Sequence, residues 1–160
     1  MGKESKRYLT IVDFIKDTKI VKPKILDLGC GYGSLYEYLD ENEISEYLGI
    51  DLSDAAIYKA KKSKKNKSKY LVADIQKFVT DDKFDIIIFN EVLYYLDNPI
   101  ESVLKFDTNF NEKGYFIFSF YGGREDLKNE IEKKYELIKN RIILKEDNNS
   151  SWAINLFRVK

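Results

Sequence analysis

The sequence predicts an α/β domain with a mostly parallel sheet and helices on both faces. The first observation is an apolar run at residues 25–28 that ends abruptly in a glycine triplet and is followed by Leu35 and Leu39 at helical spacing. The second is that further short apolar runs alternate with charged, helical segments along the chain. The third is residues 84–90, FDIIIFN, which are apolar on both faces, as in the central strand of a parallel sheet.

The glycine triplet stands where a strand turns into a helix that is predicted to run to about residue 42. Gly29, Gly31 and Gly33 have no Cβ and tolerate positive φ, so the backbone of this turn can come close to a ligand. The start of the helix adds unpaired N–H groups aimed at the same point. A dinucleotide site would read G-x-G-x-x-G, but Ser34 stands at the place of the third glycine. An ordinary strand–turn–helix with no ligand is the alternative.

The stretch LDLGCGYG, residues 26–33, resembles motif I of the class I S-adenosylmethionine-dependent methyltransferases, and the resemblance covers nearly the whole chain. It implies one domain over residues 1–160, with a Rossmann-like, seven-stranded methyltransferase sheet and a C-terminal antiparallel hairpin. It also implies that S-adenosylmethionine is the cofactor and S-adenosylhomocysteine its product. The residues that this motif assigns to the methionine end of the cofactor are Asp27, Gly29, Cys30, Gly31 and Gly33.

Residues 1–23 are predicted to form an N-terminal helix or lid, and residues 24–160 the core of the domain. Apolar side chains at helical spacing place the helix itself at residues 5–21. In the family a leading helix of this kind often covers the cofactor. Tyr8 would then face the methionine end, or it would pack as an ordinary aromatic. The first strand is predicted at residues 24–29.

A second strand is predicted at residues 47–52 and carries an acid, Asp51, at its end. A carboxylate there can accept both ribose hydroxyls, as in a dinucleotide site. A charged hydrogen bond of this kind contributes roughly 1.5–3 kcal/mol. A helix N-cap is the alternative role for Asp51, although Ser53 or Asp54 could fill it instead. Leu52 would lie against one face of the adenine.

A second helix is predicted at residues 53–62, and a lysine cluster overlaps its end. The members of this cluster are Lys59, Lys61, Lys62, Lys64, Lys65, Lys67 and Lys69. An RNA or protein methyltransferase could use them to bind its substrate. However, this helix ends at the sheet edge where strands begin, whereas ligands bind where strands end. We therefore expect a solvated loop that points away from the site, and no nucleic-acid partner.

A third strand at residues 70–73 leads into Asp74 and Ile75, which resemble the adenine motif of the family. The resemblance implies that the Asp74 side chain meets the exocyclic amine of the adenine and that Ile75 packs on its ring. A purely structural turn at Asp74 is the alternative.

Residues 90–99, NEVLYYLDNP, stand at motif IV, where methyl donor and acceptor meet in the family. They do not read D/N-P-P-Y/F, which disfavours adenine and glutamine-amide methyltransferases. They resemble the E-V-L-x-x-L form of small-molecule enzymes, including nodulation-type amino-sugar N-methyltransferases. The resemblance implies a cofactor contact for Asn90 and makes Glu91 the best-placed carboxylate. Tyr94 and Tyr95 could line the acceptor pocket or lie near the sulfonium, or they could simply pack.

We expect no metal at this motif. Metal-assisted relatives often show Glu-x-x-Glu-His here, whereas this chain has Glu91 followed by Tyr94 and Tyr95. The chain also has no histidine, which excludes imidazole metal ligands and imidazole-based catalytic triads.

The remaining chain is predicted to complete the sheet. The elements are a helix at residues 99–110, a strand at 114–121, a charged helix at 124–134 and strands at 135–144 and 152–159. The short polar stretch KEDNNSS between the last two strands suits a hairpin turn.

Composition excludes several classes of protein. The formal net charge is zero, so no overall field attracts nucleic acid or an anionic membrane. No apolar run is long enough to cross a membrane, the first residues lack the apolar core of a signal peptide, and Cys30 is the single cysteine. We therefore expect a cytoplasmic protein.

The predicted function is methyl transfer from S-adenosylmethionine to an oxygen or nitrogen of a small-molecule acceptor, mainly by positioning. A second hypothesis is a cofactor-binding subunit that needs a protein partner, and a homodimer is also compatible with the sequence. The third is the RNA or protein methyltransferase that would use the lysine cluster.

Overall fold

A computed structural model describes residues 4–145 and 149–159, and these residues form an α/β fold. Its strands are β1 (Lys24–Leu28), β2 (Glu46–Asp51), β3 (Ser68–Val72), β4 (Phe84–Asn90), β5 (Phe110–Tyr121), β6 (Glu136–Leu144) and β7 (Ser151–Arg158). Its α-helices are α1 (Ser5–Asp17), α2 (Asp54–Lys62), α3 (Pro99–Leu104) and α4 (Glu125–Glu132).

The strands within this described part pair into one seven-stranded sheet with the order β3-β2-β1-β4-β5-β7-β6. The first five strands of this order are parallel to one another. β7 runs antiparallel between β5 and β6 and so closes the sheet with a hairpin. The predicted Rossmann-like, seven-stranded sheet with a C-terminal antiparallel hairpin is therefore confirmed. Residues 146–148 of the predicted hairpin turn lie outside the described residues.

The core has two halves, one on each face of the sheet. Because successive side chains of a strand point to opposite faces, Ile86 and Ile88 of β4 enter one half, and Ile87 and Phe89 enter the other. Helices α1 and α2 cover the first face, and α3 and α4 cover the second. Full burial of such a side chain stabilises the fold by roughly 1.5–3 kcal/mol. This is why the FDIIIFN run is apolar without alternation.

The prediction of one continuous helix after the glycine turn is wrong. The segment forms two short 3₁₀ helices, Ser34–Tyr38 and Glu41–Glu43. Leu39 between them has an extended backbone with ψ of 139°. The side chain of Asp40 then accepts the N–H of Asn42 at 2.8 Å, which starts the second turn instead of continuing the first.

Two other helices end earlier than predicted. α1 stops at Asp17 because the hydroxyl of Thr18 donates to the Ile15 carbonyl at 2.7 Å and Lys19 takes a left-handed φ of 60°. α3 stops at Leu104, and the side-chain amide of Asn109 donates to two carbonyls of the 80–82 loop. None of the helices in the described ranges is long and apolar enough to cross a membrane.

A buried polar pair links the neighbouring strands β1 and β2. The carboxylate of Asp27 is fully buried and accepts a hydrogen bond from the hydroxyl of Tyr47. The ring of Tyr47 is itself fully buried and packs edge-on against Tyr36 and Tyr70, with centroids 5.0 and 6.0 Å apart. The pair satisfies one carboxylate oxygen that would otherwise stand unpaired in the core.

We expect Tyr47→Phe to lower the free energy of unfolding by about 1–3 kcal/mol, because it removes the donor to a buried carboxylate. Tyr36→Phe is the matched control, since its hydroxyl donates to Glu41, which is only partly buried, at 2.6 Å. Water can replace that donor, so the control should lose less. Denaturant unfolding of the three proteins measures both values, and equal losses would contradict the special role of the Tyr47–Asp27 pair.

Candidate active site

The candidate site lies at the edge of the sheet where the parallel strands end. The glycine turn follows β1 and is tied to its neighbour, because Gly29 and Cys30 both donate their N–H groups to the Ile50 carbonyl of β2, at 2.9 and 3.0 Å. β4 ends at the same edge with Asn90. The topology therefore brings the glycine turn, the end of β2 and the predicted motif IV together.

The glycines of the turn serve two different purposes. All have positive φ, at 78°, 55° and 80° for Gly29, Gly31 and Gly33. A Cβ at Gly29 would come within 2.7 Å of Val92, and one at Gly33 within 2.8 Å of the Tyr70 hydroxyl. At Gly31 a Cβ would meet nothing within 4 Å. Packing therefore requires the outer glycines, while the central one exposes bare backbone to open space.

Asp51 braces the glycine turn from β2. One carboxylate oxygen accepts the N–H of Gly31 at 2.9 Å, and the other accepts the N–H of Ser53 at 2.9 Å. A carboxylate has about four acceptor positions, so it can still accept further hydrogen bonds. The N-cap of α2 is supplied by Ser53, whose side chain accepts the N–H of Ala56 at 3.1 Å. Leu52 beside it is 73% exposed.

Asp74 and Ile75 follow β3 next to Asp51, whose carbonyl accepts the Ala73 N–H at 2.9 Å. One oxygen of Asp74 caps its own turn by accepting the N–H of Gln76 at 2.9 Å. The side chain of Ile75 is only 5% exposed and packs into the core. The structure thus brings these residues to the predicted edge, with Ile75 facing inward.

Glu91 directly follows β4 and is held on both carboxylate oxygens. One oxygen accepts from the hydroxyl of Ser119 and the other from the hydroxyl of Tyr94, the latter at 2.6 Å. Its φ of 58° is left-handed, which is uncommon for a residue with a side chain. Burial and the bond to Glu91 raise the pKa of the Tyr94 phenol above its ordinary value. Tyr94 therefore stays protonated, and its hydroxyl is a hydrogen-bond donor that Glu91 orients.

Tyr95 lies beside Tyr94, with ring centroids 4.7 Å apart. It is 76% exposed, whereas Tyr94 is partly buried and packs against the second half of the core. Both rings line one cleft together with the glycine turn.

That cleft has a volume of about 420 Å³. It lies between the glycine turn, the Asn90–Glu91 corner, the N-terminal helix and the C-terminal hairpin. Residues that line it without having been predicted from the sequence are Glu4, Arg7, Tyr32, Ser34, Lys145 and Trp152. Tyr8, for which the sequence left two roles open, lines it as well and stacks on Tyr38 with centroids 5.3 Å apart.

Arg7 is the most buried of the unpredicted charged residues, at 3% exposure. Its guanidinium donates to Glu4 at 2.8 Å and to the side-chain carbonyl of Asn90, and it lies 4.2 Å from the ring centroid of Tyr8. It thereby ties α1 to the end of β4. A single arginine in an amphipathic segment carries no motif, so only its contacts reveal this role.

Cys30 and the lysine cluster can also be compared with the predictions made from the sequence. The Cys30 thiol is 4% exposed, and burial raises its pKa, so it is not an activated nucleophile. Lys67 and Lys69 lie at the opposite sheet edge, as expected, where Lys69 pairs with Glu46 at 2.8 Å. The expectation is wrong for Lys59, whose ammonium lies 4.8 Å from the ring centroid of Tyr32 on the cleft wall.

A sheet of this order, with a glycine turn after β1, an acid at the end of β2 and an Asn-Glu corner after β4, defines a class I methyltransferase domain. The family model described as "Methyltransferase domain" matches residues 21–155. The chain therefore belongs to the methyltransferase domain family.

Relatives and solved structures agree with this. A malonyl-[acyl-carrier protein] O-methyltransferase of Anoxybacillus flavithermus is 33% identical over 110 residues, which are 66% of this chain and 42% of that protein. This chain matches about two fifths of the length of the first curated relatives.

Among solved structures, the N-methyltransferase NodS of Bradyrhizobium japonicum with S-adenosylhomocysteine gives a TM-score of 0.86 at 18% identity and covers 99% of this chain and 88% of NodS. A Haloferax volcanii methyltransferase complex with the Trm112 activator gives a TM-score of 0.73 at 14% identity, covering 96% of this chain and 91% of the other. These likenesses show the fold.

Asp27, which the sequence assigned to the cofactor site, lies beneath the turn. Burial raises its pKa from 3.8 to about 6, although hydrogen bonds from Tyr47 and Asn90 act in the opposite direction. Its carboxyl group is fully buried, so the structure places it under the site and not on the cleft surface.

We expect Asp27→Asn to change how stability depends on pH. The pKa of Asp27 is higher in the fold than in the unfolded chain, so its contribution to stability is complete below pH 3.8 and is lost as pH rises through about 6. A shift of this size corresponds to about 3 kcal/mol. The variant should therefore gain about that much relative to the wild type between about pH 4 and about pH 7. Unfolding curves across this range, compared with those of Asp54→Asn at an exposed position, check this; parallel curves for wild type and Asp27→Asn would contradict it.

Proposed function

We propose that this chain binds S-adenosylmethionine and transfers its methyl group to an oxygen or nitrogen of a small-molecule acceptor. The observation that carries the proposal is the convergence of the open Gly31 backbone, the Asp51 carboxylate and the Asn90–Glu91 corner at one sheet edge. The cleft of about 420 Å³ adjoins this edge. Ligands of open α/β sheets bind at such an edge.

The residues around the glycine turn fit the amino-acid end of this cofactor. Arg7 lines the cleft, and its Nε is a buried atom without a hydrogen-bond partner among the described residues. The carboxylate of an α-amino acid group is an anion that a guanidinium complements. Asn90, Gly29 and the Gly31 backbone border the same end of the cleft.

The adenosine end would lie along β2 and β3. Asp51 retains acceptor positions for the ribose hydroxyls, and Asp74 stands beyond it for the adenine amine. Leu52, with 73% of its surface exposed, offers an apolar face to the adenine ring. Ile75 would contribute its backbone more than its side chain, since the side chain is buried.

When bound, S-adenosylmethionine supplies a methyl group on a good sulfonium leaving group. The chain's own task is to hold the acceptor in line, and positioning of this kind can supply roughly 7–11 kcal/mol. Glu91 orients the Tyr94 hydroxyl, and Tyr94 and Tyr95 form the acceptor side of the cleft. Because both oxygens of Glu91 already accept hydrogen bonds, we assign it to positioning.

The proposal includes no metal. Residues 94 and 95 are tyrosines, and the described residues hold no cluster of three or more acidic, cysteine or histidine side chains suited to a metal ion. The relatives support both kinds of acceptor atom, because one is an O-methyltransferase and the NodS structure is an N-methyltransferase.

A second candidate is a methyltransferase subunit that needs a protein partner. It is favoured by the fold likeness to a methyltransferase solved with its activator. Stable association with another protein and no turnover by the isolated chain would support it. An RNA or protein substrate remains the third hypothesis, and salt-sensitive RNA binding that Lys-to-Glu changes in the lysine cluster weaken would support the RNA form.

The first test is calorimetric titration of the purified chain with S-adenosylmethionine and S-adenosylhomocysteine. Micromolar binding of both supports the proposal and justifies an assay of methyl transfer to amines, phenols and carboxylates. Absence of binding by the isolated chain would favour the partner-dependent alternative.

We expect Asp51→Asn to weaken S-adenosylhomocysteine binding about tenfold or more, because the variant loses a charged acceptor for the ribose. The amide keeps one oxygen for the neighbouring backbone N–H groups, so the turn retains part of its brace. Asp54→Asn, three residues further at the exposed start of α2, is the matched control and should bind normally. Calorimetry measures the affinities and thermal unfolding reports the fold; unchanged affinity in a folded Asp51→Asn protein would overturn the ribose assignment.

A further inference from the structure

The rim of the cleft opposite the glycine turn is made by the C-terminal hairpin. Lys145 follows β6, and its backbone N–H donates to the Ser150 carbonyl at 2.9 Å, which fixes its place. Its ammonium lies 4.7 Å from the ring centroid of Tyr121 and 4.8 Å from that of Trp152. These three side chains line the cleft together.

The positive charge of Lys145 is only partly compensated. Contact with aromatic faces contributes roughly 0.5–2 kcal/mol but occupies none of the three N–H donors as a full hydrogen bond would. Within residues 4–145 and 149–159, no carboxylate lies within salt-bridge distance of its ammonium. Glu4 is close enough to interact electrostatically with Lys145, but none of the described carboxylates forms an ion pair with the ammonium, which faces the cleft.

The acidic groups of the cleft are already engaged. Glu4 accepts from Arg7 at 2.8 Å, and the oxygens of Glu91 accept from Ser119 and Tyr94. A cationic acceptor molecule would compete with these internal donors for the two carboxylates. An anionic acceptor could bind Lys145 without displacing any of them.

The other cation near the acceptor wall does not compete for this role. The guanidinium of Arg124 lies 5.7 Å from the ring centroid of Tyr94, but it pairs with Asp126 at 2.7 Å.

Arg7 pairs with Glu4 at 2.8 Å, and Lys59, which contacts the Tyr32 ring, is not among the residues that line the cleft. Of the basic side chains that line it, Lys145 is thus the one for which the described residues supply no ion-pair partner, and it lies beside two aromatic rings.

We propose that the methyl acceptor carries an anionic group, a carboxylate or a phosphate, which Lys145 binds while the exposed ring of Tyr121, packed on the buried Trp152, contacts the body of the molecule. This inference rests on the proposed function, since it names the class of acceptor that the same site takes.

Trp152 is the single tryptophan of the chain, so its fluorescence reports directly on this rim. The probes are phenylacetate, phenyl phosphate, phenylacetamide and 2-phenylethylamine, which share a phenyl group and differ in charge. Each is titrated into the protein with and without saturating S-adenosylhomocysteine. We expect the two anions to bind about tenfold or more tightly than the amide and the amine, and the preference to shrink with added salt. Comparison of the two anions shows whether the site prefers a carboxylate or a phosphate.

The variants assign the preference to one side chain. Lys145→Gln should abolish it and Lys145→Arg should retain it. Lys139→Gln, which changes a lysine of β6 that pairs with Asp17 away from the cleft, should leave it intact. Thermal unfolding confirms that each variant is folded. Equal or tighter binding of the amine or amide, no saturable response to either anion at millimolar concentration, or an unchanged preference in folded Lys145→Gln overturns the inference.

The outcomes separate this inference from the function on which it rests. If S-adenosylhomocysteine binds and no anion preference exists, the inference about the acceptor is wrong while the proposed function stands. If S-adenosylhomocysteine does not bind, the proposed function fails, whatever the probes show.

Discussion

The site depends on the hydrogen bonds that fix the glycine turn to the end of β2. Gly29 and Cys30 share the Ile50 carbonyl, and Gly31 donates to the Asp51 carboxylate. These bonds can form only because β1 and β2 are parallel neighbours that end at the same edge. The turn is therefore held in an open shape before any ligand arrives, and such preorganisation lowers the entropy lost on binding.

The sheet could be predicted because its strands are apolar for a simple physical reason. FDIIIFN has the bounds of β4 because a strand covered on both faces has no polar side. The segment after the glycine turn could not be predicted in detail. Leu35 and Leu39 have helical spacing, but the local bond from Asp40 to the Asn42 backbone competes with helix propagation and divides the segment.

Residues of the site could be predicted only where a local sequence pattern marks them. The glycine turn, Asp51 and the Asn90–Glu91 corner each end a strand, so local pattern places them. Arg7 and Lys145 reach the same cleft from the N-terminal helix and the C-terminal hairpin. They are two among 27 basic residues, and no spacing distinguishes a lysine on a cleft wall from one in solvent.

The hydrogen bonds inside the cleft also change the role that we assign to Glu91. From the sequence it is the best-placed carboxylate at the predicted point of methyl transfer. In the fold the Glu91 backbone is left-handed, and its carboxylate accepts hydrogen bonds from the hydroxyls of Ser119 and Tyr94. These hydrogen bonds hold Tyr94 in place. The chain has no histidine, and Asp27 is sealed in the core. We therefore propose that the site aligns an acceptor that already carries a reactive lone pair and does not remove its proton.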